Sequence, residues 1–313
     1  MSSELDRLSE DHPSLAAGVA RLVASDGSVN SPFRLLAFPV LGALTSALDP
    51  ALPVVVISRL WWAGAETFDD LADADFDEDG AGLSNAQAGI ASAACLSVVP
   101  QMIIERQSLP DRLKAAWTWE FNAGSVAAAE GQFRDVSAAE EPGSWAATMR
   151  IYARKSGAPY GRDAAMTAML AGADDEGIRG WRMFGLLFGV LRQMANDRAS
   201  IAVAAEEDED LANGTWTLLL AHAMEDAGAR EAQTLGALHT RVKGDVSARS
   251  ELRRRLVTAE IAAGYDRRVE AVQRKLLALL KSLAEPSDQR DLIQWMVDVS
   301  AADSLLSDLA GAA

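Results

Sequence analysis

The residues best suited to do chemistry stand in a short acidic run. Asp69, Asp70 and Asp73 are followed by Asp75, Asp77, Glu78 and Asp79. On a helix, Asp69 and Asp73 lie one turn apart on one face, with Asp70 beside them. Three carboxylates so close repel one another unless a hard cation sits between them. Mg²⁺ suits that place, because it takes one or two protein carboxylates and completes its octahedron with water and phosphate oxygens. A solvated acidic helix end shows the same pattern, but the residues leading in, LWWAGAETF, are mostly apolar. The acids are therefore expected to open from a buried helix.

A second polar group ends the apolar run GVLRQMANDRAS, residues 189–200. Asn196 and Ser200 share a helix face with Asp197 adjacent, and such oxygens complete a Mg²⁺ shell with less charge than three carboxylates. A third feature is Lys155 in Arg154-Lys155-Ser156-Gly157, a point charge that can pair with a diphosphate among small residues. Each of the two has a plain alternative, a polar helix end and a surface lysine. His12, His222 and His239 are dispersed and make no ligand pair at helical spacing. No Ser/His/Asp arrangement, Gly-rich phosphate loop or dinucleotide fingerprint is evident, and ELRRRL near Arg253 reads as a solvated helix face.

The elements that must position these groups are helices. Ala, Leu, Glu and Arg are abundant, runs of strand-type residues are few, and 49% of the 313 residues are hydrophobic, enough for a sizeable core. The pattern predicts helices over 13–23, 33–48, 54–74, 85–105, 113–135, 145–170, 180–205, 211–227, 229–243, 250–283 and 288–309. The separators are short and carry Gly, Pro, Asp or Ser, with 25–31 a polar turn region. No repeat and no linker divides the chain, so 1–313 is expected to form a single all-α antiparallel bundle with an apolar cavity at its centre. The uncharged stretch from Gly80 to Ile104 is diluted by Ser84, Asn85, Gln87, Ser92, Ser97 and Gln101, and reads as a buried helix rather than a membrane span. The first thirty residues do not read as a signal peptide. Cys95 is the one cysteine, which excludes an internal disulfide and a multi-Cys zinc site. The expected location is the cytoplasm. A formal net charge of −16 repels nucleic acid and anionic lipid, and repels any anionic small molecule unless metal or a local cationic cluster reverses the sign.

In order and spacing these segments resemble the polyprenyl synthetase family of trans-isoprenyl diphosphate synthases, from about Arg34 to Leu220. FDDLAD is similar to the family's first Asp-rich motif, and AEGQFRDV, with Gln132 and Asp135, to its G-Q-x-x-D helix. YARKSGAPY resembles its K-T-G segment, with Ser156 replacing Thr. GVLRQMANDRAS resembles the second motif, with Gln193 kept, Arg192 at the Phe position, Asn196 at the first Asp and Ser200 at the third. EDLANGTWTLLLAHAM resembles the D-L-x-x-G-K stretch, with Thr215 at the Lys. The resemblance implies an allylic prenyl diphosphate substrate clamped through Mg²⁺ by Asp69, Asp70 and Asp73 on one side and Asn196, Asp197 and Ser200 on the other. It implies that Lys155, Gln132, Gln193 and Arg34 bind substrate, and that the protein is a homodimer. In the family, residues just before the first motif floor the chain-length tunnel. Here Gly64 and Ala65 leave room, while Trp61 and Trp62 would close it a turn deeper or serve as ordinary core.

The departures concern the acceptor. Where the family holds isopentenyl diphosphate with G-G-K-x-x-R, this chain has Val29-Asn30-Ser31-Pro32-Phe33-Arg34 and keeps only the Arg. Where an Arg pair follows the first motif, it has Asp77-Glu78-Asp79-Gly80-Ala81. Acids there repel a diphosphate. The expectation is prenyl transfer to an acceptor of unknown identity rather than ordinary isopentenyl elongation. Two alternatives stay open. One is a class I terpene cyclase, since Asn196-Asp197-x-x-Ser200 resembles the start of N-D-x-x-S-x-x-x-E, although Ala204 stands at the Glu and the nearest acids are Glu206 and Glu207. The other is a weakly active or inactive partner subunit of a prenyl diphosphate synthase.

Overall fold

The computed structural model describes residues 2–25, 27, 31–137, 143–205 and 207–310; Val29, Asn30, Glu206 and most of the 25–31 turn region lie outside them. Among the described residues there is no strand. In chain order the helices are α1 (Ser2–Asp11), α2 (Pro13–Ser25), α3 (Ala37–Thr45), α4 (Leu52–Asp73), α5 (Glu78–Ala81), α6 (Asn85–Ala93), α7 (Val99–Arg106), α8 (Asp111–Ser137) and α9 (Trp145–Tyr152). They continue as α10 (Ala158–Leu170), α11 (Asp175–Ala202), α12 (Glu209–Asn213), α13 (Leu218–Asp226), α14 (Ala229–His239), α15 (Val246–Leu256), α16 (Ala259–Leu283), α17 (Asp288–Ala302) and α18 (Ser307–Ala310). The chain packs as two compact units, one of residues 1–123 and 163–178 and one of residues 124–162 and 179–313.

Several predicted helices are interrupted, and the causes are local. The predicted 85–105 helix widens into a π turn over Ala94–Val98 before α7, and the predicted 145–170 helix does so over Ala153–Gly157 before α10. Each turn precedes a proline, Pro100 or Pro159, whose ring would meet the carbonyl four residues back, at Leu96 or Lys155; a widened turn relieves that clash. The predicted 211–227 helix breaks at Gly214, whose φ of 65° closes α12, and restarts where the Thr217 hydroxyl accepts the Leu220 N–H at 3.2 Å. The predicted 250–283 helix breaks between Leu256 and Ala259. α1 lies outside any predicted helix.

In the first unit α4 is buried almost all round, through Val54, Val55, Val56, Ile57, Leu60, Trp61 and Ala63. It packs on the α6–α7 run, where a Cβ on Gly64 would stand 2.9 Å from the Cys95 Cβ and 3.0 Å from the Ser92 carbonyl. The Ser92 hydroxyl donates to the Gly64 carbonyl at 2.7 Å. Gly64 is therefore small because a neighbouring helix approaches it, not because space is left beside it. Burial pushes the Cys95 thiol up to about 12, which makes it inert. The run 85–106 is long and apolar enough to cross a membrane by length and composition, and half of its most apolar window is buried inside the protein.

In the second unit α11 is the central helix, with Phe184, Phe188, Leu191 and Met194 fully buried. Phe188 meets Tyr160 edge to face at 5.3 Å between ring centroids. Gly185 and Gly189, one turn apart, lie against the backbone of Tyr160 and Ser156, so no side chain fits between α11 and the start of α10. Gly131 on α8 likewise touches the backbone of Lys155. These close approaches hold the π turn that carries Lys155.

Candidate active site

The acids of the first unit occupy the last turn of α4. Asp69 is half-buried, and Asp70 and Asp73 are exposed. Ala74, with φ 62°, ends the helix and donates its N–H to the Asp70 carbonyl, which also accepts from Asp75 at 2.9 Å. A helix C-terminus carries partial negative charge, so carboxylates there face an unfavourable field that a cation would reverse. The acids that follow have local duties. Asp77 caps α5 by accepting the Gly80 N–H at 2.9 Å, and Glu78 accepts the Asn85 N–H at 3.1 Å where α6 begins. The nearby loop does receive a cation from elsewhere: Arg21 on α2 donates to the Gly82 carbonyl at 2.6 Å. Arg34 forms an ion pair with Glu66, one turn before the acids, and its guanidinium lies 3.6 Å over the Trp62 ring. Trp62 in turn meets the buried Trp61 edge to face at 5.2 Å.

The second unit gathers its polar groups on α11 and the segments packed on it. Asn196 is exposed, Ser200 is half-buried and Asp197 is buried. One Asp197 oxygen accepts from the Tyr152 hydroxyl at 2.5 Å and the other from the Gln193 amide at 3.1 Å. Gln193 is itself oriented by the Ser156 hydroxyl at 2.6 Å, and Tyr152 accepts the Leu218 N–H at 3.2 Å. Lys155 pairs with Asp135 at 2.7 Å, which the π turn and the Gly131 contact make possible. Gln132 on α8 is half-buried, one turn before Asp135.

Two further acids join this group. Asp208 is 1% exposed; one of its oxygens accepts from Ser200 at 2.8 Å and from the Leu211 N–H at 2.9 Å. Its other oxygen is buried with no hydrogen-bond partner among the described residues. Asp197, Asp208, Asp210, Thr215 and Thr217 line one small cleft. Burial pushes the Asp210 carboxyl up to about 6, helped by Asp208. Burial also raises Asp197 well above the ordinary carboxylate range, reinforced by Asp210 and opposed by the Tyr152 and Gln193 hydrogen bonds. The Tyr152 hydroxyl is raised by burial and then by Asp197. Asp208, Asp210, Tyr152 and Glu66 were not singled out as site residues from the sequence. Asp210 was within reach, since it lies inside EDLANGTW, but nothing in the sequence pairs Tyr152 with Asp197.

The donors on α4 and at the end of α11 are all oxygens, the ligand type a hard divalent cation takes. Among the described residues no three His, Cys, Asp or Glu side chains are gathered closely enough to hold a metal ion by themselves.

The chain has the all-α isoprenoid synthase fold. It is similar to a geranylgeranyl pyrophosphate synthase with a TM-score of 0.77 and 14% identity, over 96% of this chain and 97% of that one. It is similar to a polyprenyl synthetase from Streptomyces coelicolor A3(2) with a TM-score of 0.74 and 19% identity, over 96% and 99%. A polyprenyl synthase from Caulobacter crescentus CB15, complexed with calcium and isoprenyl diphosphate, gives 0.73 and 18%, over 98% of both chains. No family model and no curated protein matches the sequence. The likeness to solved structures thus establishes a prenyltransferase-type fold across nearly the whole chain.

Proposed function

We propose that this protein is a Mg²⁺-dependent isoprenoid synthase that ionises an allylic prenyl diphosphate and transfers the prenyl group to an acceptor other than isopentenyl diphosphate. The observation that carries this reading is the cluster of Asp69, Asp70 and Asp73 at the exposed end of an otherwise buried helix in this fold. Asp69, Asp70 and Asp73, and separately Asn196, Asp197 and Ser200, are the proposed metal ligands. A bound divalent cation would supply charge stabilisation for the departing diphosphate. In the reaction the allylic C–O bond breaks with its electron pair leaving on the diphosphate. The new bond forms from an electron pair of the acceptor, which then releases a proton. Tyr152 and Gln193 orient Asp197, and Lys155, paired with Asp135 in this structure, is the proposed cation for the diphosphate once that pair exchanges. Gln132, Gln193 and Arg34 are proposed substrate contacts, and residues 1–313 are proposed to work as one domain.

A homodimer is part of the same reading, supported by Trp119, Val126 and Phe133, which recur every seven residues at exposed positions of α8. A terpene cyclase is the second reading, favoured by the exposed Asn196 four residues before Ser200. The test is incubation with Mg²⁺ and geranyl, farnesyl or geranylgeranyl diphosphate, with and without isopentenyl diphosphate. Hydrocarbon from one diphosphate alone selects the cyclase. Elongation with isopentenyl diphosphate overturns the acceptor assignment. Diphosphate release under neither condition, unaffected by Asp69→Ala, selects a partner subunit.

A further inference from the structure

Trp62, Glu66, Asp69, Asp70 and Asp73 recur every three or four residues and so form one stripe along α4. Arg34 is laid across the start of that stripe from the turn Pro32–Leu35. Its guanidinium plane covers Trp62 at 3.6 Å, and its side chain is only 12% exposed. Its ion-pair partner Glu66 is 38% exposed, so of the pair it is the acid and not the cation that solvent reaches. The charge that would greet an anion on this stripe is spent internally.

We propose that Glu66 sets the chemical class of the second substrate, by cancelling Arg34 so that this face of α4 takes an uncharged acceptor; the inference rests on the prenyl-transfer reading above. A diphosphate-bearing acceptor meets a carboxylate at Glu66, with Arg34 already neutralised. A neutral acceptor meets no such repulsion. The half-buried Trp62, with the Arg34 guanidinium stacked on it, offers it dispersion contact. Glu66 is thus a specificity-determining residue three positions before the first metal-binding Asp.

The test uses the full chain and a pair of acceptors with one carbon skeleton, isopentenyl diphosphate and isopentenol. In buffer without divalent metal, calorimetry compares isopentenyl diphosphate binding to wild type, Glu66→Gln and Glu66→Gln/Arg34→Ala, with circular dichroism confirming that each is folded. Glu66→Gln should bind roughly tenfold tighter than wild type, and the double variant should lose that gain. Glu66→Ala removes the same charge with less bulk and should give the same result independently. Folded Glu66 variants that bind no tighter, or a gain that survives loss of Arg34, overturn the proposal. So does wild-type transfer from geranylgeranyl diphosphate and Mg²⁺ to isopentenyl diphosphate in preference to isopentenol. Failure of the wild type to release diphosphate from geranylgeranyl diphosphate sinks the prenyl-transfer reading instead, and leaves the binding comparison to decide what Glu66 does to Arg34.

Discussion

The acidic ends of α4 and α11 carry similar residue types in opposite surroundings. On α4 the carboxylates are half-buried or exposed and lie at the negative end of a helix. On α11 Asp197 is buried, and a hydrogen bond from a neighbouring side chain reaches each of its oxygens. Carboxylates at a helix C-terminus face the negative end of the helix dipole, which a bound cation would offset. A buried carboxylate fixed by Tyr152 and Gln193 instead organises the structure around it. Similar acid-rich strings therefore meet different surroundings, one at the solvent-exposed end of its helix and one tied into the hydrogen bonds of the fold.

Four experiments break or sharpen that contrast. The largest effect is expected at α4. Asp70→Ala should lower Mg²⁺-dependent diphosphate release by about 10²–10³-fold and change the unfolding free energy by about 1 kcal/mol or less. Parallel kinetics and urea unfolding would check both; a large loss of stability would make α4 structural as well. Next comes Tyr152→Phe, which strips the donor from Asp197 and the acceptor from the Leu218 N–H. It should destabilise the protein by about 1–3 kcal/mol in urea unfolding. A neutral result would mean that the Asp197 network is not holding the second unit together.

The third concerns pH. His222 and His239, both in the second unit, have their pKa lowered from 6.5, in each case chiefly by burial. The unfolded chain therefore takes up these protons first. Their contribution is fully present above pH 6.5 and is lost as pH falls through the lower folded values. The melting temperature of wild type should drop with acidification below pH 6.5, and His239→Gln should flatten that dependence. An unchanged slope in the variant would acquit His239. The smallest effect returns to α4: Asp73→Asn should raise stability by about 0.3–1 kcal/mol without metal. That gain should shrink when Mg²⁺ is added, and persistence of the full gain in Mg²⁺ would argue that Asp73 holds no cation.

Much of the fold was legible because helix periodicity is a local property. α2, α4, α8 and α11 fall within a few residues of their predicted spans, and the burial of α4 ahead of its acids follows from LWWAGAETF. The breaks at Gly214 and at 257–258 were not legible as breaks, since apolar spacing runs on across both. The π turns went unread although Pro100 and Pro159 mark them, because a proline inside a helical pattern signals disruption without saying which kind. Gly64 shows the limit most plainly: a small residue near a cluster of acids reads as space, and the structure fills that space with Ser92, Cys95 and Leu96.

By itself the sequence determined the fold class and the chemistry of its donors. Residue type decides what an oxygen or an ammonium can bind, and spacing of three or four decides which of them share a helix face. Only the tertiary structure decided which of those groups are committed to one another. Arg34 is separated from Glu66 by 32 positions, Lys155 from Asp135 by 20 and Tyr152 from Asp197 by 45. Whether a charge is available or already paired depends on contacts between distant segments, which helical spacing does not encode.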